Sequence, residues 1–215
     1  VVVMDVTNGD ILTFVSMPSF DPNSFSDGIS SNEYKWLTAD DHQPLINKAT
    51  RGLYPPGSTL KPMAIIAAVE AGIDPSHRHN CVGGYRLGNR FFRCLGRHGP
   101  VDMATAVAKS CNSYFYWLGH QLGYDKIAPY ARMLGLGEEF QLAGSNQRYG
   151  TIPDSAWKLR RFDQKWSASD SLNAVIGQGY VSVNPLQLAV MAARIASGKA
   201  LYPRLINRQF ENKIL

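Results

Sequence analysis

The chain of 215 residues sets 22 basic against 17 acidic side chains, a net charge of +5, and its 45% hydrophobic content can build the core of one large domain or two small ones. No stretch gathers Lys and Arg into a long run, so only weak attraction to anionic partners is expected, and no nucleic-acid site. No run of about 18 apolar residues occurs, and the opening VVVMDVTNGDILTFV has no basic n-region followed by a cleavage site. The chain opens inside what reads as a strand and stops at ENKIL without a polar tail or cap, so a piece of a longer protein is expected.

Val1 to Val6 and Ile11 to Val15 are β-branched runs flanking Thr7-Asn8-Gly9-Asp10, a strong hairpin signal. Ser19 to Arg51 is polar, rich in Asn, Asp and Ser, and without a sustained period. It reads as a long surface connection, with Asp21 and Asn23 of SFDPN forming a turn. KPMAIIAAVEA, Lys61 to Ala71, is apolar on nearly all sides, tolerates Pro62 in its first turn and ends at Gly72: a buried helix with Ser58 at its start. Residues 75 to 100 are rich in Gly, Arg, His and aromatics and lack helical period.

Further helices are expected near Asp102 to Lys109, from about Asn112 to Leu118, and from Asp125 to Leu134, the last closed by Gly135. Asn184-Pro185 caps and opens PLQLAVMAARIAS, which ends at Gly198. Strands first and helices after predict an α+β layer architecture, in which the opening hairpin needs further strands to make a sheet.

YPPGSTLKP places Ser58 and Lys61 three residues apart, on one helix face. A serine hydroxyl at its free pKa is a poor nucleophile. A lysine desolvated against KPMAIIAA can lose its proton and act as the base. At a helix start the Ser58 N–H is free to donate to an oxyanion on an acyl group carried by that serine. The tetrad alone is equally what a capping serine and an exposed lysine would give. A second motif, KSCNSYFYW, adds Ser110 and Asn112; two residues apart, they converge on one substrate only if a turn separates the helices on either side. Ser110 could relay a proton and Asn112 hold a carbonyl.

Order, separation and flanks together resemble the penicillin-binding transpeptidase family, whose Ser-x-x-Lys and Ser-x-Asn motifs accompany a third, Lys-Thr-Gly. The likeness is to the elongation-type class and spans the chain: MPSFDPN, NKATRGLYPPGSTLKP, SCNSYFY and IGQGYVSVNPLQLA. It implies a serine β-lactamase/D,D-transpeptidase-like fold, an antiparallel sheet with flanking helices and a helical subdomain. Residues 1–16 would be the opening hairpin and 58–200 the mostly helical part of one partial domain. It implies Ser58 as nucleophile on the penultimate D-alanine of a peptidoglycan stem peptide ending in D-Ala-D-Ala, Lys61 as base, Ser110 as relay to the leaving D-alanine and Asn112 as clamp.

The same resemblance implies acylation of Ser58 by β-lactams and no cofactor for the acyl transfer. Partners would be a membrane glycosyltransferase and the scaffold proteins of an elongation complex, at a bacterial inner membrane with the catalytic domain in the periplasm and the anchor outside this chain. No lysine in the chain precedes Thr-Gly or Ser-Gly. In the family that triad binds the substrate carboxylate and supplies the second oxyanion donor, so these residues alone are expected to be inactive or nearly so. A serine β-lactamase, or a non-catalytic sensing module, are the other readings of the same motifs.

The three cysteines form Cys81-x12-Cys94-x3-His98-x12-Cys111. Four soft ligands suit a closed tetrahedral structural Zn2+ site bracing the Ser110–Asn112 turn from behind. Zinc binding near this motif in some elongation-type members points the same way. A Cys81–Cys94 disulfide, with Cys111 a small core residue, or no link at all, remain open. His77 and His79 read as exposed loop histidines able to replace a ligand. Tyr114, Phe115, Tyr116 and Trp117 read as core, and Gly177-Gln178-Gly179-Tyr180 as a tight turn supporting the site.

Overall fold

A computed structural model of the chain describes residues 1–142 and 146–205; the ENKIL end lies outside them. Its strands and helices are, in chain order, β1 (Val2–Met4), β2 (Ile11–Phe14), α1 (Ser31–Ala39), α2 (Lys48–Arg51), α3 (Lys61–Glu70), β3 (His79–Cys81), β4 (Gly84–Leu87), β5 (Arg90–Arg93) and β6 (Gly99–Val101). The helices α4 (Met103–Ala108), α5 (Asn112–Leu122), α6 (Tyr124–Met133), α7 (Ser155–Phe162), α8 (Ala168–Val175) and α9 (Pro185–Ser197) follow. They divide into two compact units, one built from Val1–Leu53, Glu139–Tyr149 and the segment from Asn184 onward, the other from Tyr54–Glu138 and Gly150–Val183.

In the first unit the expected hairpin forms, β1 pairing antiparallel with β2 in the register Val2↔Phe14, with a bulge at Val3/Met4. Gly9 turns it: φ is +89°, and a Cβ there would stand 2.2 Å from Tyr202 O, so only glycine fits. Alternation sends Val2, Met4, Ile11 and Phe14 onto Phe140, Leu142, Leu186 and Val190, while Val1, Val3 and Leu12 face outward. The hairpin is extended at Asp10 by a parallel bridge to Arg204, reinforced by a 2.7 Å ion pair. Among the described residues this bridge is what joins it, short of the fuller sheet expected.

Helix α9 starts where Asn184 and Gln187 cap one another and ends at Gly198 in the left-handed conformation. Asn184 Nδ2 also donates to Thr50 O and Arg148 O, at 3.1 and 3.0 Å, tying distant segments to the helix start.

Ser19 to Arg51, expected as a long surface connection, is mostly exposed and carries two helices that the reading did not assign. Asp21 does form its turn, accepting from Asn23 N at 2.9 Å. Ser30 then caps α1, and Asn47 caps α2. The helix α1 escapes a periodicity search because Leu37 is its single buried residue, and Tyr34 and Trp36 are exposed.

In the second unit α3 and α5 are the buried helices: Met63, Ala64, Ala67 and Ala68 on one, Tyr114, Phe115, Tyr116 and Leu118 on the other. Gly119 lets α8 approach α5, since a Cβ would meet Val175 Cγ1 at 2.9 Å. Residues 75 to 100 fold into two antiparallel pairs, β3–β6 and β4–β5. The inner face of β4–β5 packs Tyr85, Leu87 and Phe92 with Tyr116 and Leu172. Helices α7 and α8, which the sequence reading leaves unassigned, begin at Asp154 and at a Ser167/Asp170 capping box. A buried Lys158–Asp170 ion pair of 2.6 Å links them.

Candidate active site

Ser58 lies in the short 3-10 turn Gly57–Leu60 that runs into α3, and is itself exposed. A backbone N–H in such a first turn has no carbonyl within the helix to bond. Pro55-Pro56 fixes the approach, and two segments from far along the chain fix the rest. Tyr54 pairs antiparallel with Val183, and Gly57 N donates to Gly177 O at 3.0 Å. Gly177 has φ +69°, and a Cβ there would lie 2.3 Å from Gly57 O. The IGQGY turn is therefore pressed against the backbone one residue before Ser58, and Gln178 reaches the same spot, its Nε2 standing 3.7 Å from where a Gly57 Cβ would be. Sequence reading gave Gln178 no role of its own; its place between two glycines was the available signal.

The second motif sits on a turn, as its spacing required. Helix α4 ends at Ala108, Ser110 takes φ +49°, and α5 begins at Asn112. Ser110 N donates to Val107 O and Cys111 N to Ala106 O, at 3.0 and 2.8 Å, the crossed pair of bonds of a Schellman ending. Glycine is the usual residue at that left-handed position; a serine there is strained by roughly 1–2 kcal/mol. The hydroxyl at Ser110 thus comes at a conformational cost.

The four residues meet. Lys61 Nζ donates to Ser110 O at 2.8 Å, to Ser110 Oγ at 2.8 Å and to Asn112 Oδ1 at 2.7 Å. Ser110 Oγ in turn donates to Ser58 Oγ at 3.0 Å. An ammonium has three N–H donors, and all three are used. Among the described hydrogen bonds Lys61 and Ser58 are joined through Ser110 and not directly, although their spacing puts both on one face. Lys61 is 2% exposed, and its Nζ lies 5.1 Å from the centre of the Phe115 ring. Burial pulls its pKa down from 10.5 to about 8, against the opposing pull of Cys94 and Cys111. A lysine in that range exchanges its proton near neutral pH.

Behind this turn stand the cysteines. The ligand atoms of Cys81, Cys94, His98 and Cys111 lie within 4.8 Å of one another. Cys81 Sγ and Cys94 Sγ are each 3.6 Å from His98 Nδ1, and Cys94 Sγ is 4.0 Å from Cys111 Sγ. Tetrahedral zinc with Zn–S of about 2.3 Å and Zn–N of about 2.0 Å needs S···S edges near ~3.8 Å and S···N edges near ~3.6 Å, so the donors already have the right shape. All three cysteines are free thiols in this structure.

Burial raises the Cys81 thiol, but backbone N–H groups of His98 and Gly83 outweigh it and bring the group down to about 6. Burial, reinforced by the charge of Cys94 and Cys81, pushes Cys111 up to about 12. Gathering three thiolates here therefore calls for a cation at their centre. His77 and His79 lie elsewhere: His77 stacks on Trp117 at 4.3 Å, and His79 Nε2 bonds Ser113 Oγ at 2.9 Å.

Residues 1–213 match the family model described as the penicillin binding protein transpeptidase domain. The chain is 35% identical over 215 residues to the peptidoglycan D,D-transpeptidase MrdA of Acinetobacter baumannii, an alignment covering 96% of this chain and 32% of that protein. It superposes with a TM-score of 0.94 on the Helicobacter pylori penicillin-binding protein PBP2 solved in complex with MreC, at 33% identity, covering 99% of this chain and 41% of that one. With Pseudomonas aeruginosa PBP2 in complex with WCK 5153 the TM-score is 0.90 at 37% identity, over 95% of this chain and 46% of that one. The fold is the α+β transpeptidase fold expected from the motifs. The chain spans about a third of the length of the curated relative it matches.

Proposed function

The chain belongs to the penicillin-binding protein transpeptidase family, and from that premise we propose that it carries the nucleophile and proton-transfer groups of a peptidoglycan D,D-transpeptidase, with Ser58 the acylated residue. The unbroken path from Lys61 through Ser110 to Ser58, in steps of 2.8 and 3.0 Å, supports this reading most directly. When Lys61 is neutral the hydrogen bonds reverse. Ser58 Oγ gives its proton to Ser110 Oγ, and Ser110 gives its own to Lys61 Nζ, while Ser58 Oγ bonds the carbonyl carbon of the penultimate D-alanine. Collapse of the tetrahedral intermediate breaks the amide bond, and the leaving D-alanine nitrogen takes a proton back through Ser110. The amine of a neighbouring stem peptide then displaces Ser58 and forms the cross-link. Because Asn112 Oδ1 is occupied by Lys61, it is the amide N–H groups that would hold a substrate carbonyl.

Cys81, Cys94, His98 and Cys111 would hold Zn2+ as a structural clamp, and it takes no part in the acyl transfer. The relative solved with MreC supports a scaffold protein as partner, and the one solved in a synthase complex for polymerization and crosslinking supports a glycosyltransferase; the proposed place is the periplasmic side of an inner membrane. Among the described residues no helix is long and apolar enough to cross a membrane.

The reading is tested by labelling the full-length protein, as its own gene encodes it, with a fluorescent penicillin and locating the adduct by mass spectrometry. The label is expected on Ser58 and absent from Ser58→Ala; an adduct on any other residue, or none, defeats the assignment.

A further inference from the structure

Between Asp74 and Asp102 the chain contains no Asp or Glu but five arginines: Arg78, Arg86, Arg90, Arg93 and Arg97. Spaced by other residues they make no run, and the fold gathers them. The β4–β5 register pairs Arg86 with Phe91 and Gly84 with Arg93, placing Arg86, Phe91 and Arg93 on the face opposite the Tyr85–Phe92 pair that packs inward. Gly84 serves that face: a Cβ would stand 2.6 Å from the Phe91 ring, so the ring approaches bare backbone there. Phe91 is 43% exposed, and Arg86 lies 5.7 Å over its ring.

The other three cations lie off this face: Arg97 sits after the hairpin with its side chain by Gly83, and Arg90 pairs with Leu87 on the inward face. Arg90 covers the ring of Phe92 at 4.7 Å, and Arg78 lies in the field of Asp102. Arg86 and Arg93 are the pair that faces outward beside an aromatic ring. The metal-ligand cluster also ties this face to the candidate active site. Arg93 precedes Cys94, whose sulfur is 4.0 Å from that of Cys111, the residue between Ser110 and Asn112.

We propose that the outer face of the β4–β5 hairpin, Arg86, Phe91 and Arg93, is a docking surface for peptidoglycan strands, which it holds by the free carboxylates of their stem peptides. The inference rests on the transpeptidase reading above for the identity of the polymer. Charge complementarity selects the occupant: a guanidinium fork matches a carboxylate in two parallel hydrogen bonds, and each stem offers several carboxylates. The exposed ring beside the forks suits the apolar parts of the same stem or a sugar face. Such contacts are screened by salt, so binding must weaken as ionic strength rises.

The test measures binding of fluorescent, uncross-linked peptidoglycan strands by the full-length protein, with penicillin labelling of the wild type at Ser58 reporting separately on the transpeptidase reading. Arg86→Gln/Arg93→Gln is expected to weaken binding about five- to tenfold at low salt and to flatten its salt dependence. Arg86→Lys/Arg93→Lys should recover part of the loss. Arg160→Gln/Arg161→Gln, which removes the same charge from exposed positions on α7, should leave binding within about twofold. A melting temperature equal to wild type guards against misfolding.

Strands stripped of their stem peptides by an amidase should bind weakly to every variant. Equal binding by wild type and the Arg86/Arg93 variant, equal loss in the Arg160/Arg161 variant, or undiminished binding of stripped strands would each overturn the proposal. So would tighter binding to phosphatidylglycerol vesicles than to strands, which would make the face a membrane contact. If the wild type is acylated at Ser58 while any of these results holds, the inference fails and the transpeptidase reading stands.

Discussion

The acylation rate of Ser58 should follow the deprotonation of Lys61. With its pKa drawn by burial from 10.5 to about 8, the lysine is neutral in about one molecule in ten at pH 7 and about one in a hundred at pH 6. The ammonium, donating all three N–H groups, has no lone pair with which to receive the proton coming through Ser110; only the neutral amine has one. Labelling by a fluorescent penicillin, measured as an initial rate in the full-length protein, should therefore rise about tenfold per pH unit from 6 to 7.5 and level off above about 8.5.

The same shift carries a stability sign. The folded pKa lies below the unfolded one, so at pH 7 both forms are protonated and the buried charge costs on the order of 3 kcal/mol. That cost is relieved as pH rises from about 8 toward 10.5, because the unfolded chain still binds the proton there. A rate that is flat between pH 6 and 9, or one whose inflection sits near 10.5, would refute the reasoning, since either means Lys61 is not the group whose ionisation limits acylation.

Ser110→Gly relieves left-handed backbone strain of roughly 1 kcal/mol but takes an acceptor from the buried Lys61 ammonium at a cost of about 1–3 kcal/mol, so the melting temperature should not rise, while acylation slows on the order of 10²-fold through loss of the relay hydroxyl. Gly177→Ala, whose Cβ would stand 2.3 Å from Gly57 O, should displace the Ser58 turn and lower penicillin labelling at least about tenfold in protein that remains folded by circular dichroism. Metal analysis of protein purified without a histidine tag should find one zinc per chain, and Cys94→Ser or a strong chelator should remove it and lower the melting temperature measurably.

The sequence made the site more legible than the scaffold, for physical reasons visible in particular residues. Ser58, Lys61, Ser110 and Asn112 announce themselves because the chemistry constrains residue type and spacing, and the cysteines because soft ligands are scarce elsewhere in the chain. The caps of α9 were equally legible, since Asn184, Pro185 and Gly198 each have one strongly favoured position. Helix α1 was hidden because it buries one side chain, and β4–β5 because its outer face carries arginine and glycine where a strand search expects β-branched residues. The relay order was hidden for another reason. Three-residue spacing states that two side chains share a face, but that Ser110 Oγ stands between them, bonded to both, depends on a turn about fifty residues further along the chain.

The turn at Ser110 shows how the two motifs and the cysteines form one device. Left alone, a serine at φ +49° would relax toward ordinary backbone and carry its hydroxyl out of line with Ser58. It is held from three sides. The crossed bonds of α4's ending fix its peptide groups, Lys61 Nζ grips both its carbonyl and its hydroxyl, and the next residue, Cys111, is buried against Cys94 and the rest of the sulfur cluster. Alternation along the chain makes this possible, since Ser110 and Asn112 turn toward Lys61 and Cys111 turns away. A metal at the cluster would stiffen the one residue between two proposed catalytic ones, so its loss should loosen Ser110 before it unfolds the unit. A double-mutant cycle between Cys111→Ala and Ser110→Gly tests that: coupling of about 1 kcal/mol or more in stability is expected, and strict additivity would separate the cluster from the turn.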